Sequence, residues 1–240
     1  MRPKSIQPDH EYPLNNGGWA IATEYINSKR VRIVTDTGYK TTVRADQINN
    51  GNVLDPFAKT TFGIGYFGER FLTGNYTKKE LSRWKKMFER CYSSIYLLDH
   101  PECEGLSIDP EWHNFSNFVD WSKENYVEGY QLDRNILSFG NKVYGPKTCI
   151  YAPRKIAYFF NGNAKSRGEL SLGVSNRTDY KTNSFRASGT NKSFKSEEEA
   201  KAEYWRVKRG KLDELIKEFP KFEVILIDCF DMFKERNNEV

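Results

Sequence analysis

The sequence predicts an α+β protein of several small modules, and three observations carry that reading. From Gly17 to Pro56, β-branched and aromatic residues fall in short runs between turn signals, the pattern of a small sheet. Thr77 followed by Glu80 opens a stretch with apolar residues at helical spacing, which marks a strong helix start. Beyond Leu170, three strand-like runs precede one long helical stretch. The expected division is an N-terminal β module (1–56), a linker (57–76), a middle domain of helices and a hairpin (77–161), a three-stranded sheet plus helix (168–218) and a tail (219–240).

In the first module, Trp19–Tyr25, Arg30–Thr35 and Tyr39–Arg44 read as strands, with Asp36-Thr37-Gly38 turning between the last two. Arg30, Arg32, Lys40 and Arg44 make either a basic face or the solvated face of a structural module. Residues 52–76 carry Pro56, Gly63, Gly65, Gly68 and Gly74 without periodicity and read as a linker draped over a neighbour.

The middle domain begins with the helix capped by Thr77, whose Leu81, Trp84, Phe88 and Cys91 recur at helical spacing. A second helix is expected from Asn114 to Tyr126. Tyr130–Ile136, a turn over Ser138–Asn141, and Val143–Tyr151 read as a hairpin, and Pro153 opens a short helix to about Phe160. Next, Leu170–Ser175, Ser184–Ser188 and Lys192–Lys195 read as strands. Ser196 caps a long helix whose first turn holds Glu197, Glu198 and Glu199, where the helix dipole favours them. In the tail, Val224–Ile227 reads as a strand.

Composition narrows the function classes. Thirty-seven basic against 32 acidic residues give a net charge of +5, too mild by itself to identify a nucleic-acid binder. The distribution says more. Lys165, Arg167, Arg177, Lys181, Arg186, Lys192 and Lys195 face only Glu169 and Asp179 within 165–195, so one sheet face is expected to be positive, as an approach to a phosphate backbone requires. No apolar run approaches the roughly 20 residues that span a bilayer, and Met1-Arg2-Pro3-Lys4 lacks the apolar core of a signal peptide. Cys91, Cys103, Cys149 and Cys229 form no CxxC pair, which points to a reducing, cytoplasmic setting. With His100 they fit no standard zinc spacing.

Two resemblances sharpen the expectation. Gly173-Val174-Ser175, Phe185-Arg186-Ala187, Phe194, Glu198-Glu199-Ala200 and Tyr204 resemble an AP2-type DNA-binding domain. The resemblance implies a three-stranded sheet in the major groove with a helix behind it, and Arg177, Lys181, Arg186, Ser188 and Lys192 facing double-stranded DNA. Trp84, Arg90-Cys91-Tyr92, Glu111-Trp112, Asn114-Phe115, Phe118, Leu132-Asp133-Arg134, Asn141, Tyr144, Pro146 and Cys149 resemble the HNH-type nucleases of bacteriophages. That family implies a ββα-metal fold and a phage origin. Its hairpin supplies a metal carboxylate beside a base histidine, and its helix supplies a second metal ligand. Asp133 stands at the carboxylate position and would be the ligand of Mg²⁺ or another divalent cation. Arg134 stands where the histidine belongs, and an arginine cannot serve as a general base. Residues 153–160 offer no His or Asn.

The leading expectation is therefore a phage-encoded DNA-binding protein derived from a homing-type HNH endonuclease, with catalysis weakened or lost. One alternative is an active Mg²⁺-dependent endonuclease using Asp133, with His113 or a bound water replacing the missing base, and with Arg134 and Asn141 as the other candidate site residues. Another is a regulator that binds a host nucleic-acid-processing protein. His113 itself, beside Trp112, reads more readily as a core-edge histidine than as a catalyst.

Overall fold

The computed structural model describes residues 6–160, 170–177 and 184–238. It is a mixed α+β chain with small sheets that divides into two compact units. One comprises Met1–Glu124 with Tyr144–Pro146, and the other Asn125–Val143 with Lys147–Val240. The boundary runs through 77–161, the stretch that the sequence suggests is one domain.

Strand alternation builds the sheet of the first unit. β1 (Glu11–Pro13), β2 (Trp19–Asn27), β3 (Arg30–Thr35) and β4 (Lys40–Val43) form an antiparallel meander in chain order. Ala20, Ala22, Val31 and Ile33 point to one face, and α1 (Ala45–Asn49) covers it with Ala45 and Ile48. The β3–β4 turn is tied down by Asp55, a buried carboxylate that accepts the Thr37 hydroxyl at 2.7 Å and the Phe57 N–H at 2.8 Å. Of the four basic residues that could form a basic face, Arg32 is bonded to Glu24, and Arg44, which caps α1 just beyond β4, to Asp46.

The rest of this unit is an aromatic core. After α2 (Glu69–Thr73), α3 (Lys78–Tyr92) starts with a complete capping box: Thr77 accepts the Glu80 N–H, and the Glu80 carboxylate accepts the Thr77 N–H. Trp84, Met87, Phe88 and Cys91 form the buried stripe of α3. The Trp84 indole donates at 2.7 Å to the carbonyl of Trp112, and Phe67, Phe88 and Phe115 pack around its ring. Short elements follow: α4 (Ser94–Asp99), β5 (Ser107–Ile108) and a 3₁₀ turn over Pro110–His113. α5 (Phe115–Asn125) then buries Phe115, Phe118 and Val119. Residues 57–76 are thus more than a linker, since Phe67 stacks on Phe71 at 4.3 Å and Tyr66 is hydrogen-bonded to His113 through the backbone.

The hairpin of the second unit is wider than the sequence suggests. β6 (Gln131–Asp133) pairs with β8 (Ile150–Ala152), Asp133 standing opposite Ile150. β7 (Val143–Tyr144) lies between them in the chain, and the Tyr144 carbonyl accepts the Asp109 N–H instead. α6 (Arg154–Phe159) follows Pro153 as expected. β9 (Val174–Arg177), β10 (Ser184–Ala187) and β11 (Ser193–Phe194) form an antiparallel sheet of order β11-β10-β9. α7 (Glu197–Glu218), capped by Ser196, lies against all three strands.

The tail departs from expectation: Val224–Ile227 is not a strand but the first turns of α8 (Glu223–Asn238). Its β-branched residues suggest extended chain. However, Leu226, Cys229, Phe230 and Phe233 recur at helical spacing, and all four are buried in one core with Trp205, Ile136 and Ile156. Among the described residues no helix is long and apolar enough to cross a membrane.

Two consequences are measurable. Gly173 has φ of +77°, and a Cβ there would lie 2.2 Å from the Tyr204 ring. Gly173→Ala should therefore cost about 1–3 kcal/mol in urea unfolding. Lys208 sits with Nζ 4.3 Å from the Phe159 ring centre and 5.0 Å from that of Phe233, and donates to the Phe159 carbonyl. The rings and carbonyl favour its charged form, but burial outweighs them and, with the charge of Lys211, brings its pKa down from 10.5 to about 8. Between those values the unfolded chain binds the proton more tightly, so this group adds stability as pH rises from about 8 towards 10.5. Lys208→Met should remove that increment from the stability–pH profile, and an identical profile in both proteins would refute the assignment.

Candidate functional site

The sheet β9–β11 owes its two faces to alternation. Phe185 and Ala187 of β10 turn towards α7, joined by Val174 and Phe194, and all four belong to the core that includes Ala200, Tyr204 and Trp205. Cross-strand partners share a face. Arg186 is paired in register with Ser175 of β9 and Ser193 of β11, so these positions, with Ser184 two residues before Arg186, occupy the face away from the helix. Arg186 is half-buried between two small hydroxyl side chains, and no hydrogen bond or ion pair engages its guanidinium among the described residues.

The other expected interface residues divide. Ser188 is exposed in the turn after β10, its N–H donating to the Gly173 carbonyl at 2.7 Å. Lys192 is exposed, but its ammonium is 3.4 Å from Glu203 on α7. Arg206 binds the same carboxylate at 2.6 Å. The hydrogen bond from Arg206, with Lys192 adding to it, holds the Glu203 pKa down at about 2. This Lys192–Glu203–Arg206 cluster was not foreseen, although the spacing of Glu203 and Arg206 on a helix signals the pair. Arg177 ends β9, whereas Lys181, Lys165 and Arg167 lie outside the described residues.

A second set of hydrogen bonds fixes the edge behind the sheet. Glu197 Oε1 accepts the Ser171 N–H at 2.7 Å and its hydroxyl at 2.6 Å, which lowers the carboxyl pKa and ties the lead-in of β9 to the start of α7. Glu199 accepts the Lys195 N–H while Ser196 accepts the Glu199 N–H, so the cap also holds the end of β11.

The residues expected to carry nuclease chemistry are engaged in loop closure. Asp133 Oδ1 accepts the N–H groups of Asn135 at 2.6 Å and Ile136 at 3.2 Å, turning the chain directly after β6. Arg134 donates to the Asn135 side chain and to the Asn141 carbonyl. Asn141 in return donates to the carbonyls of Arg134 and Val143 and accepts the Val143 N–H. His113 belongs to the first unit, where its Nε2 is 3.1 Å from the Ile108 carbonyl and its ring lies beside Phe88. It is thus a half-buried core-edge residue.

The surroundings of Asp133 are those of a closed turn. One of its carboxylate oxygens already accepts two N–H groups, and a guanidinium follows it in the chain. The Cys229 thiol, with Sγ 3.6 Å from the Asn135 carbonyl, is pushed up to about 12 by burial and by the Asp133 charge, so it stays protonated. Among the described residues no three His, Cys, Asp or Glu side chains cluster in a metal-holding arrangement. No family model, curated protein or solved structure matches the chain.

Asn141→Ala removes three hydrogen bonds from this loop and should lower stability by about 1–3 kcal/mol in urea unfolding. Unchanged stability would show that the loop is held by other contacts.

Proposed function

We propose that the chain binds double-stranded DNA through the outer face of β9–β11, and that it derives from a phage HNH-type endonuclease whose hairpin now serves structure and not cleavage. The observation that carries this reading is Arg186, unengaged among the described residues on the sheet face away from α7. Dimensions support it. Strands lie about 4.8 Å apart, so three of them span about 10 Å, against a major groove about 12 Å wide. An arginine centred on such a sheet can form paired hydrogen bonds to a guanine edge, while flanking serines leave room for the base pair. The basic excess over 165–195 in the sequence supports contact with a phosphate backbone. The resemblances to AP2-type domains and to phage HNH proteins agree with this arrangement. The bonding of Asp133, Arg134 and Asn141 within their own loop favours a binding role over catalysis.

The test is a mobility-shift and nicking assay on a pool of labelled duplexes, with and without Mg²⁺. A salt-sensitive shift without nicking is expected. Arg186→Ala should weaken specific binding by about 1–3 kcal/mol and relax preference at one position. Lys192→Ala should have the smaller effect, because its ammonium is already shared with Glu203. Nicking that requires Mg²⁺ and vanishes in Asp133→Ala would overturn the binding-only reading, and full affinity in Arg186→Ala would remove the sheet as the interface.

A further inference from the structure

The segment that reads as a linker holds a small built feature in the first unit. Thr61 and Gly65 exchange backbone hydrogen bonds of 3.0 and 2.9 Å, closing a minimal hairpin whose tip is Phe62-Gly63. Both tip residues have positive φ, +53° and +69°. With the Ile64 N–H donating to the Thr61 carbonyl, they are the central residues of a turn whose first position, at positive φ, favours Asn, Asp or Gly. Phenylalanine is thus held there against its own backbone preference, and such outliers concentrate at functional sites. Burial does not compensate, because the Phe62 side chain remains 47% exposed. The base of the hairpin is firmly seated: a Cβ at Gly65 would lie 2.6 Å from Phe88 Cζ and 2.9 Å from Trp84 Cη2.

The tip forms one wall of an open groove of about 780 Å³, within the range of ligand sites. The other wall is the solvent stripe of α3, namely Lys78, Ser82, Lys85, Lys86 and Glu89, at helical spacing opposite Trp84 and Phe88. Three lysines therefore face one carboxylate. Among the described residues no acidic side chain pairs with these lysines, and Lys85 Nζ lies 5.8 Å from the Phe67 ring centre.

A positive groove with a solvent-presented aromatic ring matches a polyanion that also exposes flat π faces. In a duplex those faces are hidden in the stack, whereas a single strand offers them. Lysine ammoniums act as point charges, suited to phosphates without base discrimination. An acidic peptide would use the lysines but would leave the strained, exposed ring without a role. We propose that this groove binds single-stranded nucleic acid, with a base stacked on Phe62 and backbone phosphates on Lys78, Lys85 and Lys86. The proposal does not depend on the sheet of the second unit.

The experiment is fluorescence anisotropy of the full chain with labelled oligothymidylate and with a duplex of the same length. Phe62→Asn is the informative variant, because asparagine accommodates positive φ. Its thermal stability should hold or rise while single-strand affinity falls about tenfold, and Phe62→Tyr should retain affinity. The double variant Lys85→Ala, Lys86→Ala should weaken binding and flatten the log affinity against log salt slope by about 1.4. Arg186→Ala should leave single-strand binding intact. The proposal fails if wild-type protein does not bind oligothymidylate, if Phe62→Asn binds it as tightly as wild type, or if polyglutamate displaces it as effectively as unlabelled oligothymidylate.

Discussion

The structure of the second unit depends on one constraint: the sheet β9–β11, with strands of two to four residues, persists only because α7 covers one of its faces. Val174, Phe185, Ala187 and Phe194 supply the apolar side of that contact, and Ala200, Tyr204 and Trp205 receive it. Gly173 lets the Tyr204 ring approach the backbone more closely than any side chain would allow. Because the inner face supplies the apolar packing, none of the core residues named above comes from the outer face. Arg186 and its serine neighbours can then be chosen for a ligand. In the proposed DNA-binding role, a short sheet fastened to a long helix would be a rigid support that lowers the entropic cost of presenting an arginine to a groove.

The same economy operates in α3 of the first unit. A period of 3.6 residues sends Trp84, Met87, Phe88 and Cys91 inward and Lys78, Ser82, Lys85, Lys86 and Glu89 outward. The inner stripe is anchored by the Trp84 indole on the Trp112 carbonyl, a hydrogen bond in a fully buried environment. Breaking it would leave a carbonyl without its partner and loosen the rings around it. The outer stripe costs the fold little, so its lysines are available for recognition.

The loop after β6 shows how local bonding engages residue types that also serve in catalytic centres. An aspartate two residues before a free N–H readily closes a turn on itself, and Asp133 does this with Asn135. Arg134 and Asn141 exchange bonds across the loop, and a planar guanidinium suits backbone carbonyls as well as it suits phosphates. Asp133 Oδ1, one nitrogen of the Arg134 guanidinium and both ends of the Asn141 amide are bonded within the loop. The same residue types read in sequence leave both uses open.

What the sequence by itself determined was whatever rests on bonds between near neighbours or on a simple period. The capping box of Thr77 and Glu80, the cap at Ser196, the strands β2, β3 and β4, and the succession of β9, β10, β11 and α7 were all legible for that reason. The tertiary structure alone decided the rest. Val224-Ile225-Leu226-Ile227 has local preference for a strand, yet burying Leu226, Cys229, Phe230 and Phe233 on one side requires a helix. Leu132 lies opposite Tyr151, a register chosen by long-range packing that no local signal announces. Lys192 was readable as a cation, but not as the partner of a carboxylate on another element. Phe62 looked like loop because its strained φ follows from hydrogen bonds between Thr61 and Gly65 and from the seat on Phe88. Local preferences amount to about 1 kcal/mol or less per residue, and the burial of an aromatic core exceeds them.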